Sequence, residues 1–376
     1  MRILFPIRAF YPSQVGGPSN TLYWHTCALK HNRVDVRIVT TTWGIKEGLV
    51  QEDIWEDDLC GKVFYGKGKA STLRIIWRAL SQIKYCDILH LNSLFHGLSI
   101  ATFFYSRLFF PKKRIVWSVR GELSPEALQY GSRKKAKLLS LYKKFNKSVV
   151  FHATSAQETA DISSHFPDVD IIEIPNLLLP AERLLLETKK QFLFMGRIHP
   201  IKGLDKLIKG IALSQLFRVR GYKLIIIGTH SQKNQDYIDN LHHLIHELNL
   251  SDHVEFKGHV VGNAKEISYA ESFSLVLPSE SENFGNVVVE AMNHGTPVIA
   301  SKGTPWSILE EFQCGYHIEN SPGQIAEAID KMISLDRDYY LKLRENAIRL
   351  VDSQFNIQSK IKTWIDLYES LLKNDQ

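Results

Sequence analysis

The sequence predicts an α/β protein built from two doubly wound parallel sheets. Short apolar segments typical of strands alternate with longer amphipathic segments typical of helices in both halves of the chain. At 376 residues, the chain is also longer than one hydrophobic core usually supports. The alternation weakens over residues 177–190, LLLPAERLLLETKK. We therefore predict an N-terminal domain at 1–178, a C-terminal domain at 179–355 and a terminal helical segment at 356–376.

The alternation predicts individual elements in both domains. In the first domain it indicates strands at 3–6, 34–40, 88–91, 114–118, 149–153 and 171–174, and helices at 19–30, 94–109, 125–145 and 156–166. In the second it indicates strands at 192–195, 224–228, 254–257, 274–277 and 297–301, and helices at 204–216, 235–248, 286–294, 323–335, 337–352 and 357–373. Ligands of doubly wound sheets bind beyond the carboxyl ends of the strands. Candidate site residues are therefore sought in the loops that follow strands.

The composition is that of an ordinary folded protein, with 44% of the residues hydrophobic and 23% charged. Four cysteines are scattered without a Cys-x-x-Cys pair: Cys27, Cys60, Cys86 and Cys314. This usage favours free thiols over a disulfide framework or a zinc site. The apolar run at the N-terminus is too short for a signal peptide, and no run of about 18 apolar residues could span a bilayer. We expect a cytoplasmic protein.

The segment LPSESENFGNVVVEAMNHGTPVIAS at 277–301 carries the most specific pattern. It places Glu282 in a loop after a strand and Glu290 in the first turns of the next helix. Backbone N–H groups around Gly285, Asn286 and Val287 would lie between the two carboxylates. Amides at a helix start bind anions, and a carboxylate can accept hydrogen bonds from ribose hydroxyls. The segment predicts a nucleotide-sugar site.

The loop GRIHPIKG at 196–203 follows the first strand of the second domain. Arg197 and Lys202 could deliver a guanidinium and an ammonium group to one diphosphate, while Gly203 opens the helix. The alternative is a solvated basic loop, and the position at a strand's carboxyl end favours the diphosphate. In the first domain, Gly16 and Gly17 form a turn before a helix, where glycines let a phosphate approach the backbone. Such a turn can equally be structural.

Together these segments resemble the retaining family-4 glycosyltransferases of GT-B fold, also called glycosyl transferases group 1. The resemblance also covers IPN at 174–176, IIIG at 225–228 and FKGHV at 256–260. It implies two Rossmann-like domains that face a central cleft, with the C-terminal helix crossing back to the first domain. It further implies that a sugar moves from a nucleotide diphosphate sugar of UDP or GDP type to a hydroxyl of a glycan or lipid-linked acceptor. The expected setting is bacterial surface-polysaccharide biosynthesis.

The resemblance also implies residue roles. Arg197 and Lys202 would hold the diphosphate, and Glu282 would face the donor sugar, so these three are the catalytic candidates. The remaining donor-binding candidates are Gly16, Gly17, Arg120, Val260, Asn283, Phe284, Gly285, Asn286, Val287 and Glu290. The two cations would serve the leaving group in place of a metal ion, and no other cofactor is expected.

The first domain departs from the commonest family pattern at SVRGE, residues 118–122. Many members carry His-Gly there, so Arg120 resembles an Arg-Gly subgroup in which the arginine contacts the donor sugar or diphosphate. His90, Asn92 and His96 follow or end the strand predicted at 88–91 and are candidates for acceptor contact. Each histidine can equally be a buried structural residue.

Two further features have a functional and a plain interpretation. Asp168 and Asp170 form an Asp-x-Asp pair of the kind that binds metal in other glycosyltransferases, but they precede a strand far from the phosphate loop, so we expect no metal site. The segment RKKAKLLSLYKKFNK at 133–147 contains seven basic residues and no acidic one. It is either a solvated helix face or a surface for an anionic membrane or a lipid-diphosphate acceptor. No nucleic-acid motif accompanies it.

Two alternatives to a glycosyltransferase stay open. A nucleotide-sugar epimerase of the same fold would use the diphosphate site without an acceptor, and a non-catalytic partner of a synthase complex would only bind the nucleotide sugar. The complete set of Arg197, Lys202, Glu282 and Glu290 favours catalysis. We expect a cytoplasmic protein, and the basic segment suggests that it could bind peripherally to the inner face of the membrane. The base, the sugar, the acceptor and the oligomeric state are not specified by the sequence.

Overall fold

The chain divides into two units, which we call unit 1 (Met1–Leu179 with Ile357–Gln376) and unit 2 (Pro180–Asn356). The computed structural model describes residues 1–13, 17–70, 72–129, 132–146 and 148–373. The break between the units falls at Leu179 and Pro180, inside the segment where the strand-helix alternation weakens. Residues 181–188 contain no helix or strand.

Unit 1 is a sheet with helices on both faces. Its described strands are β1 (Arg2–Pro6), β2 (Asp35–Thr41), β3 (Trp55–Asp58), β4 (Gly61–Gly66), β5 (Ile88–Asn92), β6 (Arg114–Ser118), β7 (Val149–Ala153) and β8 (Asp170–Glu173). Its described helices before the linker are α1 (Gly17–His31), α2 (Leu73–Ile83), α3 (Gly97–Phe109), α4 (Pro125–Gln129), α5 (Ser132–Phe145) and α6 (Ala156–His165). The strand order is β3-β4-β2-β1-β5-β6-β7-β8. Successive side chains of β1 pack into hydrophobic cores on opposite faces of the sheet, because Leu4 points to one face while Ile3 and Phe5 point to the other.

The sheet of unit 1 is not wholly parallel, contrary to the prediction. All described pairings are parallel except that of β3 with β4, which is antiparallel. Only Leu59 and Cys60 connect the two strands, and a parallel pair would need a crossover of a dozen or more residues. Gly61 ends this tight connection with φ +122°, and a Cβ atom there would lie 2.5 Å from the carbonyl oxygen of Val36.

Unit 2 is a parallel sheet in the order β11-β10-β9-β12-β13-β14. Its strands are β9 (Lys189–Met195), β10 (Lys223–Ile227), β11 (Val254–Gly258), β12 (Ser272–Leu277), β13 (Val298–Ser301) and β14 (Gly315–Ile318). Its helices are α7 (Leu204–Leu213), α8 (Gln235–Glu247), α9 (Asn263–Ala270), α10 (Asn286–Asn293), α11 (Ile308–Glu311), α12 (Pro322–Ile333) and α13 (Arg337–Leu350). Short 3₁₀ turns cover Pro200–Lys202 and Gln232–Asn234, and a π-helical turn covers Val351–Phe355. Strand order reverses between β9 and β12, which is where ligands of such sheets bind.

The last helix, α14 (Ile357–Lys373), belongs to unit 1 although unit 2 precedes it in sequence. The N–H of Ile357 donates to the carbonyl of Leu178 at 2.9 Å. Ile361, Trp364 and Tyr368 are buried in the core that also contains Ile3 and Phe5. Residues far apart in sequence therefore complete one side of unit 1.

Several predicted helices have different bounds in the structure; the helix predicted at 204–216, for example, ends at Leu213. The helix predicted at 94–109 begins only at Gly97, because the amides of Leu94 and Phe95 donate to the carboxylate of Glu122 (2.5 and 3.2 Å) instead of entering a helix. The described residues of the helix predicted at 125–145 form α4 and α5, and residues 130 and 131 lie outside the described ranges. No helix in those ranges has both the length and the apolar composition needed to cross a membrane.

Candidate functional site

The loops that follow β9 and β12 lie against each other at the carboxyl edge of the unit 2 sheet. The side chain of His199 accepts a hydrogen bond from the N–H of Ile201 (3.2 Å) and caps the 3₁₀ turn that ends at Lys202. Gly203 has φ +66°, and a Cβ atom there would lie 2.1 Å from the carbonyl oxygen of Pro278. Only glycine allows this contact, because any side chain would push the two loops apart.

The contact between the loops brings Lys202 and Glu282 together. Their side chains form an ion pair, Nζ to Oε1, and are 13% and 17% exposed. An ammonium group carries three N–H donors, so Lys202 can hold Glu282 and still donate to a ligand. A second pair, Lys206 Nζ to Glu280 Oε1 at 2.5 Å, lies one turn along α7 and is more exposed.

Arg197 and Lys202 lie close enough to act on the same histidine. Burial, followed by the charges of Arg197 and then Lys202, lowers the pKa of His199 below its ordinary value. Arg197 is exposed and forms no ion pair with any residue in the described ranges. The loop after β9 therefore presents two cations, of which one is already paired with a carboxylate and one faces solvent.

Glu290, on α10, is 8% exposed and is held by α9. Its Oε2 accepts a hydrogen bond from the hydroxyl of Tyr269 (2.7 Å) and pairs with Nζ of Lys265 (2.8 Å). Both partners use the same oxygen, so neither occupies Oε1. The sequence pattern does not single out Lys265 and Tyr269, because α9 is short. Their spacing of four residues, which places two side chains on one helical face, is the signal that could have found them.

The start of α10 is fixed by tight packing around Gly285. This residue has φ +82°, and a Cβ atom there would lie 3.0 Å from Cδ2 of Leu277 and 3.3 Å from Nε1 of Trp306. Nε1 of Trp306 donates to the carbonyl of Phe284, and the N–H of Val288 donates to the carbonyl of Gly285 at 2.9 Å. An α-helix offers its first N–H groups no intrahelical acceptor, so this end can receive an anion. The predicted donor residues Asn286 and Val287 are the first two residues of α10, and Asn283 lies in the loop before it.

Sequence and structure comparisons relate the chain to known proteins. Residues 179–350 match the family model for glycosyl transferases group 1. The matched residues are 172 of the 376 in the chain, and they fall almost wholly in unit 2. An uncharacterized glycosyltransferase of Haemophilus influenzae is 29% identical over 206 residues, which are 53% of this chain and 55% of that protein. The chain thus matches about half the length of that relative.

Solved structures resemble the chain over nearly its whole length. Sucrose-phosphate synthase from Thermosynechococcus elongatus superposes with a TM-score of 0.76 at 19% identity and covers 99% of both chains. Anabaena HepE in complex with UDP gives a TM-score of 0.76 at 20% identity, over 98% of this chain and 100% of that one. The fold is therefore the two-domain α/β fold of GT-B glycosyltransferases.

Val260 and the early glycines complete the predicted donor residues. Val260 is half-buried in the loop after β11, on the same edge of the unit 2 sheet as Lys202. It stands between Gly258 and Gly262, which both have positive φ. Gly17 is exposed at the first position of α1 in unit 1, and Gly16 lies outside the described residues.

In unit 1, the structure corrects the prediction for His90. His90 is fully buried on β5, and both ring nitrogens are engaged, Nδ1 with the hydroxyl of Tyr368 (2.7 Å) and Nε2 with Oγ of Ser118 (2.8 Å). Ser118 Oγ also lies 2.7 Å from Nδ1 of His152, whose Nε2 lies 2.8 Å from the carbonyl of Ile174. Because His90 has no exposed surface and no unused nitrogen, it cannot contact an acceptor.

The carbonyl of Ile174, at the end of this series of hydrogen bonds, determines which group donates in each of them. A carbonyl only accepts, so Nε2 of His152 donates to Ile174 and Nδ1 accepts from Ser118. Ser118 then accepts from Nε2 of His90, whose Nδ1 accepts from Tyr368. This order requires neutral rings. Burial is the main cause that lowers the pKa of His152, to about 3, and that lowers the pKa of His90 well below its ordinary value.

The other unit 1 candidates lie at the carboxyl ends of β5 and β6. Asn92, 3% exposed, accepts through Oδ1 from the guanidinium of Arg120, with Nη2 at 3.0 Å and Nε at 3.2 Å. His96 is half-buried at the start of α3, and burial, followed by the charge of Arg8, lowers its pKa to about 4. Asp170 opens β8 at the amino edge of the sheet and Asp168 precedes it. Within the described ranges, no group of three or more His, Cys, Asp or Glu side chains could hold a metal ion.

Proposed function

We propose that the protein is a retaining, metal-independent glycosyltransferase that moves a sugar from a nucleotide diphosphate sugar to a hydroxyl of a glycan or lipid-linked acceptor. The observation that carries the proposal is the Lys202–Glu282 pair at the point where strand order reverses in unit 2. Arg197 and the start of α10 border the same edge of the sheet. UDP is bound in the Anabaena HepE structure, which supports a nucleoside diphosphate as the leaving group here.

The geometry suits the charge that develops in such a reaction. When the bond from the sugar to the diphosphate breaks, negative charge grows on the leaving phosphate. Lys202 and Arg197 supply fixed cations, and the amides that start α10 supply a positive helix end. Groups aimed at charge that appears only in the transition state lower the barrier more than they stabilise the bound donor.

Glu290 is suited to the ribose of the donor. Its Oε2 is held by Tyr269 and Lys265, which fix the carboxylate in one orientation. Its Oε1 receives neither bond and can accept from a ribose hydroxyl. The residue retains 8% exposure, so a ligand that reaches the start of α10 can also reach this oxygen.

Retention of configuration follows if attack and departure share one face of the sugar. The acceptor oxygen bonds to the anomeric carbon as the bond to the phosphate oxygen breaks, and the acceptor's proton passes to the leaving phosphate. Glu282 is a poor candidate for a covalent nucleophile, because its carboxylate is ion-paired with Lys202. Its place beside Lys202 instead suits a role next to the donor sugar.

The decisive experiment incubates the protein with UDP- and GDP-sugars, with and without glycan or lipid-linked acceptors. We expect release of nucleoside diphosphate that is slow without acceptor, rises with acceptor, and persists in EDTA. An altered sugar without acceptor would identify an epimerase, and binding without either change would identify a non-catalytic partner. Full loss in EDTA with recovery on adding magnesium would contradict the metal-independent mechanism.

Replacing Glu282 with Gln should separate binding from catalysis. Glu282→Gln removes the negative charge that partly neutralises Lys202, so the affinity for UDP should rise by about three- to tenfold, the scale of a partly exposed ion pair. Turnover should fall, because the carboxylate beside the donor sugar is lost. The measurements are titration with UDP and the release assay. Glu280→Gln is the matched control, since Glu280 pairs with Lys206 instead, and it should change neither; weaker UDP binding in Glu282→Gln would refute this role.

The basic helix α5 supports a membrane-facing surface on unit 1. The structure separates its apolar residues, because Leu139 and Tyr142 are buried while Leu141 and Phe145 are 40% and 43% exposed. Five cations of α5 are exposed as well, namely Arg133, Lys134, Lys137, Lys143 and Lys144. Lys135 differs, since its Nζ donates to the carbonyl of Ala127 at 2.6 Å, and Lys147 lies outside the described residues. Exposed cations beside exposed apolar side chains fit an anionic bilayer.

This surface predicts salt-sensitive binding to acidic liposomes. The protein should co-sediment with them at low salt and dissociate as the screening length shrinks below about 10 Å. Replacing four exposed lysines of α5 with Gln should weaken binding at least severalfold: Lys134, Lys137, Lys143 and Lys144. The matched control replaces four exposed lysines of unit 2, Lys209, Lys223, Lys233 and Lys342, and should bind like the wild type. No binding by the wild type at low salt would leave α5 a solvated helix face.

A further inference from the structure

Arg120 is held in an unfavourable backbone conformation at the carboxyl end of β6. It has φ +61°, a left-handed backbone conformation that residues other than Gly, Asn and Asp rarely adopt. The N–H of the next residue, Gly121, donates to Oε1 of Glu158 at 2.6 Å. The turn therefore aims the guanidinium in one fixed direction, and strain of this kind persists where the surrounding structure imposes it.

The partners of the Arg120 guanidinium are neutral. Nε and Nη2 donate to Oδ1 of Asn92, and Nη1 donates to Oδ1 of Asn176 at 2.8 Å. The guanidinium forms no ion pair with any carboxylate in the described ranges. Glu158 acts on it through space only, because its two oxygens are taken by the amide of Gly121 and by the amide and hydroxyl of Thr154.

Unused hydrogen-bond donors remain around this cation. A guanidinium has five N–H groups, and the three bonds to Asn92 and Asn176 use three of them. Nδ2 of Asn92 is buried without any partner, and that residue is only 3% exposed. A buried donor without an acceptor is costly. Two arginine N–H groups and the two N–H groups of one side-chain amide therefore lack acceptors within one small cluster.

A cavity adjoins the cluster and lies wholly within unit 1. Arg120, His25, His152, Thr21 and Trp364 contribute to its lining. Burial, followed by the positive charge of Arg120, lowers the pKa of both histidines, so these rings stay neutral and add no second positive charge. The cavity is thus lined by one cation and several hydrogen-bond donors, but no anion of the protein reaches the guanidinium.

We propose that Arg120 and Asn92 form an oxyanion site in unit 1, which binds a phosphate or carboxylate group of the acceptor. Oxyanions offer the acceptor oxygens that this cluster lacks, and a guanidinium recognises their geometry through paired N–H groups. The identity of the ligand as the acceptor rests on the proposed function, whereas the oxyanion site itself does not. This assignment replaces the donor contact that the family resemblance implies for Arg120.

The test uses inorganic phosphate as the probe in a protein whose unit 2 cations are removed. With Arg197→Gln and Lys202→Gln in place, phosphate should still raise the melting temperature and bind at one site in equilibrium dialysis. Adding Arg120→Gln should weaken that binding by about tenfold or more, the scale of a charge-assisted hydrogen bond. Unchanged phosphate binding after Arg120→Gln would overturn the site. Acetate in a parallel titration shows whether a planar carboxylate or a phosphate is preferred.

A second variant guards against misfolding of Arg120→Gln. Asn92→Asp is nearly isosteric and puts a carboxylate where the guanidinium now meets an amide. It should raise the melting temperature and abolish phosphate binding, because the protein then supplies its own counter-ion. Phosphate binding equal to that of the parent would contradict the proposal.

A final arm separates the site from the donor site. Arg120→Gln with unit 2 intact should bind UDP as the wild type does; a loss of UDP affinity would return Arg120 to the donor and overturn the proposal. If the wild type neither binds UDP nor releases nucleoside diphosphate while the phosphate arm succeeds, the proposed function fails and the oxyanion site stands.

Discussion

Replacing Arg197 or Lys202 with Ala should lower turnover by about 10²-fold or more in each case, with the fold intact. Both residues lie in the loop after β9, where Lys202 is fixed against Glu282 and Arg197 faces solvent. Loss of one group that stabilises transition-state charge typically costs about 10²–10³ in rate. The measurement is nucleoside diphosphate release at saturating donor, together with kcat/KM.

Lys206→Ala is the matched control for this result. Lys206 is a neighbouring cation on α7 that pairs with Glu280, so its removal takes away a similar charge without touching the Lys202–Glu282 pair. We expect nearly normal turnover from it. Wild-type turnover in both Arg197→Ala and Lys202→Ala would eliminate the diphosphate assignment for the loop.

Replacing Trp364 with Ala should destabilise unit 1 by about 3–5 kcal/mol, the usual cost of removing a large buried aromatic side chain. Trp364 is 4% exposed on α14, and its ring centroid lies 4.5 Å from that of His25 and 4.6 Å from that of His152. The loss would leave a cavity between α14, α1 and the sheet. Thermal or denaturant unfolding, followed for each unit separately, measures it.

The control for Trp364→Ala is Lys362→Ala, an exposed position on the same helix. It should change the stability by less than about 0.5 kcal/mol. Titration with UDP is a second readout, since unit 2 has its own core and should keep its affinity in the Trp364 variant. Equal stability of the Trp364 variant and the wild type would show that α14 contributes little to unit 1.

The fold was largely predictable because strand-helix alternation is a local signal. Residues 42–87 are the longest exception, since they contain β3, β4 and α2, none of which was predicted; α9, α11 and β14 of unit 2 were not predicted either. β3 is WEDD, a charged edge strand whose pairing with β4 depends on a tight connection rather than on apolar periodicity. Because no strand was predicted in residues 42–87, the antiparallel pair at the edge of the sheet was not predicted either.

The candidate site was predictable where it depends on strand ends. Lys202 and Glu282 are eighty residues apart in sequence, yet each follows a strand, and β9 and β12 are neighbours in the sheet. His90 shows the opposite case. Its place at a strand end suggested exposure, but the terminal helix α14 covers it and Tyr368 binds its ring. Contacts from a segment so distant in sequence leave no local pattern.

The placement of α14 has a consequence for synthesis on the ribosome. Residues 1–179 emerge long before α14, because all of unit 2 must be translated in between. At about 5–20 residues per second, this interval is roughly 10–35 s. Throughout it, the apolar surface formed by Ile3, Phe5 and their neighbours lacks its cover of Ile361, Trp364 and Tyr368. The nascent chain therefore exposes an apolar surface on unit 1 that a chaperone can bind, until α14 has been synthesised and packs on it.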